Sequence, residues 1–204
     1  VVQVLTDHQL EKAMTEALQA LDINRFEQLA AEADQWQEHR RSLLQHPEAL
    51  LSSALWYAEQ GMPVFPCRPR SKTPITTHGF YDASTDHDQI RRWWTTTPAA
   101  NIGTPTGKVF DCIDVDGPTG YQSLGKLREC DLLPPHIGRS WTPGDPPERP
   151  PGMHYLITST GDGNATAMAP GLDYRGIGGY IILPPSAGPN GDRYEWLTPP
   201  QVSA

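Results

Sequence analysis

Hydrophobic residues recur at helical spacing through the first part of the chain and in short apolar or alternating runs through the rest. Thr6-Asp7-His8-Gln9 has the form of a capping box, and Leu10, Ala13, Met14, Ala17, Leu18 and Leu21 follow it on one helical face. Asn24, with Glu27 after it, repeats the start signal ahead of Phe26, Leu29, Ala30, Ala33, Trp36, Leu43 and Leu44. Two helices ending near His46 are therefore expected to form an antiparallel hairpin over residues 1–46. Pro47, followed by Leu50, Leu51, Ala54, Leu55 and Ala58, predicts a third helix that Gly61 stops.

Beyond Gly61 the period changes. Pro63 to Phe65 reads as a short strand, and Ser84-Thr85-Asp86 opens a fourth helix carrying Ile90, Trp93 and Trp94, tryptophans whose spacing points to the core. Val109 to Asp116, closed by Gly117-Pro118, is a run of apolar and β-branched residues and predicts a buried strand. A helix over Pro118 to Cys130 should turn Tyr121, Leu124 and Leu127 inward. Strands are expected at Arg139 to Thr142, Met153 to Ile157, Gly171 to Arg175 and Tyr180 to Leu183, with Arg193 to Trp196 pairing back as the last. The expected fold is α+β: a mixed sheet with flanking helices over residues 47–204, behind the N-terminal hairpin.

Composition narrows the class. With 21 Pro and 18 Gly, the second half should be rich in turns, and Pro143 to Pro151 is a polar loop beside the strands. No run is apolar enough to span a bilayer and no signal-peptide pattern opens the chain, so a cytoplasmic protein is expected. Cys67, Cys112 and Cys130 stand far apart, which supports neither a zinc site nor a disulfide framework. The formal charge of −8 argues against a generic nucleic-acid coat. Residues 1–46 and 47–204 each hold a formal −4, and two divalent cations would neutralise the larger part.

Candidate chemistry begins at Asp114 and Asp116. On a strand they share a face where the chain leaves the sheet, and two carboxylates that close repel unless a cation separates them. A hard divalent ion, Mg²⁺ or Mn²⁺, is one solution; an acidic turn in which Asp116 caps the helix near Pro118 is the other. Asp173 and Arg175 share a face of their own strand, placing a carboxylate beside a guanidinium able to grip phosphate, and His154 can donate to an anionic oxygen. Arg68, Arg70 and Lys72 form a small basic cluster suited either to phosphates or to solvent. Asn101 to Lys108 is not a P-loop, because it leads into a strand and has no Ser or Thr after Lys108, although Lys108 lies near the acidic strand in sequence. Asp111 falls on the opposite strand face and is read as structural or surface.

The ordered series Gly61 to Pro66, Lys72-Thr73-Pro74, Ala83 to Asp86, Trp93-Trp94, Asn101-Ile102-Gly103, Ile113 to Asp116, Gly152-Met153-His154, Gly171 to Gly176 and Gly179 to Ser186 resembles the bifunctional primase/polymerase domain of the archaeo-eukaryotic primase superfamily, found in phage and plasmid replication proteins. The resemblance covers residues 50–198. It implies a nucleotidyltransferase in which Asp114, Asp116 and Asp173 hold two Mg²⁺ or Mn²⁺ ions, with His154, Arg175, Ser186, Thr142 and Lys108 about the incoming NTP or dNTP. Arg68, Arg70 and Lys72 would then meet a single-stranded DNA template. The sequence departs from relatives in a Pro-rich insertion, Gly144 to Pro151, and lacks the zinc-binding loop some of them carry, so no zinc is expected. Pro199-Pro200 reads as a linker, with a helicase domain of a longer polypeptide expected beyond it. A two-metal nuclease using the same acidic trio, or a non-catalytic nucleic-acid-binding module, are the competing readings.

Overall fold

The computed structural model describes residues 49–144 and 150–200. The two helices expected within residues 1–46 lie outside the described residues, as do the middle of the Pro-rich loop and residues 201–204.

Helix α1 (Ala49–Glu59) ends where the sequence asks it to. Gly61 takes φ +75°, and the bonds Gly61 N–H to Ala58 O and Met62 N–H to Tyr57 O close the helix in a Schellman turn. Helix α2 (His87–Thr96) starts at Asp86, whose side chain accepts from the Gln89 N–H at 2.8 Å, and it buries Ile90 and Trp94 one turn apart. Helix α3 spans Gly117–Glu129. A 3₁₀ turn at Gly79–Asp82 completes the helical segments among the described residues.

The strands form two sheets. β1 (Phe65–Cys67), β2 (Asn101–Pro105) and β8 (Tyr180–Leu183) make a three-stranded sheet in the order β1-β2-β8. β3 (Phe110–Val115), β4 (His136–Thr142), β5 (Gly152–Thr158), β6 (Ala165–Ala169), β7 (Leu172–Arg175) and β9 (Glu195–Thr198) make a six-stranded sheet in the order β6-β7-β3-β5-β4-β9.

The expected α+β class is what forms. Every ladder between these strands is antiparallel, and among the described residues parallel pairing is confined to the isolated bridge Gly163–Ile177; β4–β5 and β6–β7 are direct returns of the chain, while the other ladders join strands separated by intervening elements. The last strand, expected over Arg193 to Trp196, forms over Glu195–Thr198, and β9 joins β4 at the edge of the larger sheet.

Strand β3 has neighbours on both edges and is buried along its whole length, because packing covers the larger sheet on both faces there. One face, with Phe110, Cys112, Leu156 and Trp196, packs with Ala54, Tyr57, Ile90 and Trp94 and with Ile102, Ile181 and Leu183 of the smaller sheet. The other face, with Ile113, Val115, Met153, Tyr155 and Leu172, packs on Leu124 and Leu127 of α3. Tyr121 does not turn inward as expected; it is 43% exposed, because that position has rotated off the narrow stripe that meets the sheet. Among the described residues no helix is long and apolar enough to cross a membrane.

Candidate active site

Antiparallel register sets the acidic residues of separate strands side by side. Asp114 of β3 lies directly opposite Asp173 of β7 on one flank and His154 of β5 on the other. His154 in turn faces Ser140 of β4, and Ser140 faces Trp196 of β9. Directly paired residues share a sheet face, so Asp173, Asp114, His154 and Ser140 form one polar row across four strands. The next row on the same face, Arg175, Cys112 and Leu156, is already largely core.

The contacts along the row are close. A single Arg175 nitrogen donates to Asp173 Oδ2 at 2.8 Å and to Asp114 Oδ2 at 3.3 Å. His154 Nε2 lies 3.8 Å from Asp114 Oδ1, and its Nδ1 shares a hydrogen bond with the Ser140 hydroxyl at 3.3 Å. Tyr194 stacks on the His154 ring at 5.9 Å between centroids. Asp173 Oδ1 also accepts from the Ala167 N–H at 2.7 Å.

Two opposed effects act on Asp114, which is 6% exposed. Burial pushes its carboxyl up, while the charges of His154, Lys72 and Arg175 and the Arg175 hydrogen bond push it down. Attraction prevails, and the carboxyl is held below its ordinary value.

Strand β7 is fixed from two sides. At its start Gly171, at φ +71°, lets its carbonyl accept from the Asp116 N–H at 2.8 Å, and a Cβ there would lie 2.5 Å from the Gly120 nitrogen. From the opposite sheet face, the Tyr174 hydroxyl donates to Asp111 Oδ2 at 2.6 Å, and Asp111 also accepts from the Thr160 N–H. Burial, reinforced by Asp111, pushes the Tyr174 hydroxyl up to about 12. Of the two readings of Asp111, structural or surface, the buried position and these contacts support the structural one, and Tyr174, between Asp173 and Arg175, anchors the strand that presents them.

Asp116 occupies the N-cap position of α3, yet its side chain makes no capping hydrogen bond. It stands at the same strand end as Asp114, tied through its backbone to Gly171. Thr142 is buried on the face shared by Ser140 and pairs with Gly152, one row beyond His154. Lys72 is exposed on the turn after β1, and its charge acts on Asp114. Arg68 and Arg70 are exposed on the same turn.

Two expected residues are not members of the row. Lys108 is exposed before β3, six residues and about 20 Å of strand from Asp114. Ser186 is fully buried, and its hydroxyl accepts from the Ile102 N–H at 2.8 Å. Ser140 and Tyr194 were not singled out from the sequence. Each carried one signal, alternation on a predicted strand: Ser140 with Thr142, and Tyr194 with Trp196.

Among the described residues no three His, Cys, Asp or Glu side chains are gathered as a ready metal cluster. The donor set nevertheless suits a hard divalent cation, because one guanidinium nitrogen already bridges an oxygen of each of two carboxylates, a seat for a shared positive charge. A family model described as bifunctional DNA primase/polymerase, N-terminal, matches residues 54–204, which contain the entire polar row. No curated protein matches the chain.

Proposed function

The chain belongs to the bifunctional DNA primase/polymerase (Prim-Pol) family, and from that premise we propose that it synthesises and extends primers on single-stranded DNA in phage or plasmid replication. In that reaction the 3′-hydroxyl of a primer, or of a first nucleotide, attacks the α-phosphorus of a nucleoside triphosphate. An O–P bond forms, the bond to pyrophosphate breaks, and the hydroxyl proton passes to solvent. The observation that carries the reading is the registered row: Asp173, Asp114 and His154 abreast, with Arg175 shared between the two carboxylates.

Two Mg²⁺ or Mn²⁺ ions held by Asp114, Asp116 and Asp173 would supply Lewis-acid chemistry, lowering the pKa of the attacking hydroxyl and stabilising the departing pyrophosphate. The chain's own groups bind and orient. Arg175 presents a planar fork matched to phosphate oxygens, and its guanidinium, now on the two carboxylates, would be the group to grip the triphosphate. His154, steadied by Ser140 and Tyr194, presents Nε2 to the same anionic region. Lys72 adds a positive charge whose field reaches Asp114. A nuclease acting on phosphodiesters has less use for this cationic grip beside the carboxylates, and so the nucleotidyltransferase is preferred.

The test is incorporation of labelled ribo- and deoxynucleotides on defined single-stranded templates with Mg²⁺ or Mn²⁺. Asp114→Asn, which keeps the side-chain shape, should lower synthesis by roughly 100-fold or more, the scale of a lost transition-state charge contact. Synthesis at the unmodified rate by Asp114→Asn, with its fold verified by circular dichroism, overturns the proposal.

A further inference from the structure

A chain of aromatic rings leads from the polar row to the surface. Tyr194, stacked on His154, is buried with Phe65 and Ile182 on one face of the three-stranded sheet. Phe65 meets Tyr180 edge-on at 5.4 Å, over Gly103, where any Cβ would lie 2.4 Å from the Phe65 ring. Phe80 lies 5.5 Å from Tyr180, and Tyr81 lies 4.3 Å from Phe80 with the rings tilted by 31°.

Tyr81 is 78% exposed, the highest value among the described large hydrophobic side chains. Its ring stands on a braced turn: the Thr76 hydroxyl donates to Gly79 O at 2.6 Å, and Asp82 receives both the His78 N–H and the His78 ring at 2.9 Å. A rigid aromatic face held in water adds little to folding.

Positive charge lies beside it. The turn bearing Arg68, Arg70 and Lys72 is closed by the Arg68 N–H to Thr73 O bond at 2.8 Å. It is tied down by Asn101 Nδ2 on Ser71 O at 3.0 Å and by the Tyr180 hydroxyl on Lys72 O at 3.0 Å. Tyr180 therefore joins the basic turn to the ring stack directly. Residues 60–81 hold no Asp or Glu in a chain of formal charge −8, and Asp82 at their border is engaged by His78.

We infer that this surface seats single-stranded DNA, with a base stacked on Tyr81 against Phe80 and backbone phosphates on Arg68 and Arg70, so that the strand runs past Lys72 toward the carboxylate row. Exposed stacked rings beside a carboxylate-free basic turn match an unpaired polyanion with accessible base faces; duplex DNA offers no such faces, and a protein partner would not select this charge pattern. The inference deepens the template-directed reading and rests on it for the strand's purpose, not for its binding.

The experiment is fluorescence anisotropy of a labelled oligothymidine with the full chain, in chelator and without nucleotide. Tyr81→Ala should weaken binding roughly 5- to 100-fold, the range for one stacked base, while Tyr81→Trp retains it. Arg68→Ala and Arg70→Ala should each flatten the dependence of log affinity on log salt by about 0.7, as for one lost phosphate contact. Unchanged affinity in Tyr81→Ala, or tighter binding of duplex than of single strands, overturns the inference. Tyr81-dependent binding by a chain that never incorporates nucleotide leaves the surface standing and sinks the polymerase reading. Full synthesis by Tyr81→Ala with an unaltered template requirement does the reverse.

Discussion

Replacing Arg175 with leucine tests whether its guanidinium stands where a cation belongs. Asp114 and Asp173 are cross-strand partners, and each places an oxygen on the same Arg175 nitrogen, at 3.3 and 2.8 Å. Those two oxygens therefore lie within about 6 Å of each other, and two unit charges at that separation repel by about 3 kcal/mol at an effective dielectric constant of 20. Asp173 is 25% exposed, and solvent screening reduces the figure to about 1–2 kcal/mol.

Without metal at neutral pH, Arg175→Leu should lose that stability, and each kcal/mol should lower Tm by about 2–4 °C for a chain of this size. A divalent ion saturating the carboxylates adds up to about 2.7 kcal/mol at a hundredfold excess over its Kd. In the unmodified protein it must first displace the guanidinium, so scanning calorimetry should show a larger Mn²⁺-induced rise in Tm for Arg175→Leu. Adding Asp114→Asn to that variant should remove the extra rise.

Acid provides a second check. The depressed carboxyl of Asp114 contributes stability above its ordinary value of 3.8, and that contribution fades as pH falls through the lower folded value. The metal-free gap between Arg175→Leu and the unmodified chain should therefore close on acidification. Equal Mn²⁺ shifts in the two proteins, or a gap independent of pH, would refute the reasoning.

Two further outcomes are expected. The buried Tyr57 hydroxyl accepts from Trp196 Nε1 at 2.7 Å and donates to Pro184 O at 2.6 Å, linking α1 to both sheets, so Tyr57→Phe should cost about 2 kcal/mol, read as a fall in Tm; an unchanged Tm counts against this linkage. Burial pushes the Cys67 thiol up to about 12 and raises that of Cys112 well above its ordinary value, whereas Cys130 is exposed, so a thiol reagent at neutral pH should label one cysteine rapidly in the folded protein and all three in denaturant.

The period-two pattern of the strands made the faces legible, and with them Asp173 beside Arg175, while Asp116 leaves the strand as the N-cap of α3. The partners across the sheet were not legible, because alternation fixes which way a side chain points but not which strand lies next to it. Ser140 thus looked like any small polar residue until register set it against His154, and Tyr194, expected within the last strand, lies just before β9, where its stacking on His154 could not be read from alternation. Strand β6, Ala165–Ala169, is exposed along most of its length and leaves no apolar stripe. Nearness in sequence misled at Lys108, where β3 itself separates the residue from the site. Ser186, expected about the nucleotide, turns its hydroxyl inward to satisfy a buried main-chain N–H.

A single sheet face changes from hydrophobic core to polar row within one step along β3, from Cys112 to Asp114, and this juxtaposition has a consequence for the site. A carboxylate placed against the core is desolvated and tolerable only while opposed by positive charge. The three opposing groups come from separate places: Arg175 from β7, His154 from β5, Lys72 from the turn after β1. Each is secured by its own contacts, Tyr174 with Asp111 for the first, Ser140 with Tyr194 for the second, Asn101 with Tyr180 for the third. Loss of any one support is therefore felt at Asp114, although none of these supporting side chains needs to touch a nucleotide. Because the attraction on Asp114 is divided among three elements, no single group satisfies it completely, and that leaves the carboxylate anionic and able to exchange one cationic partner for another.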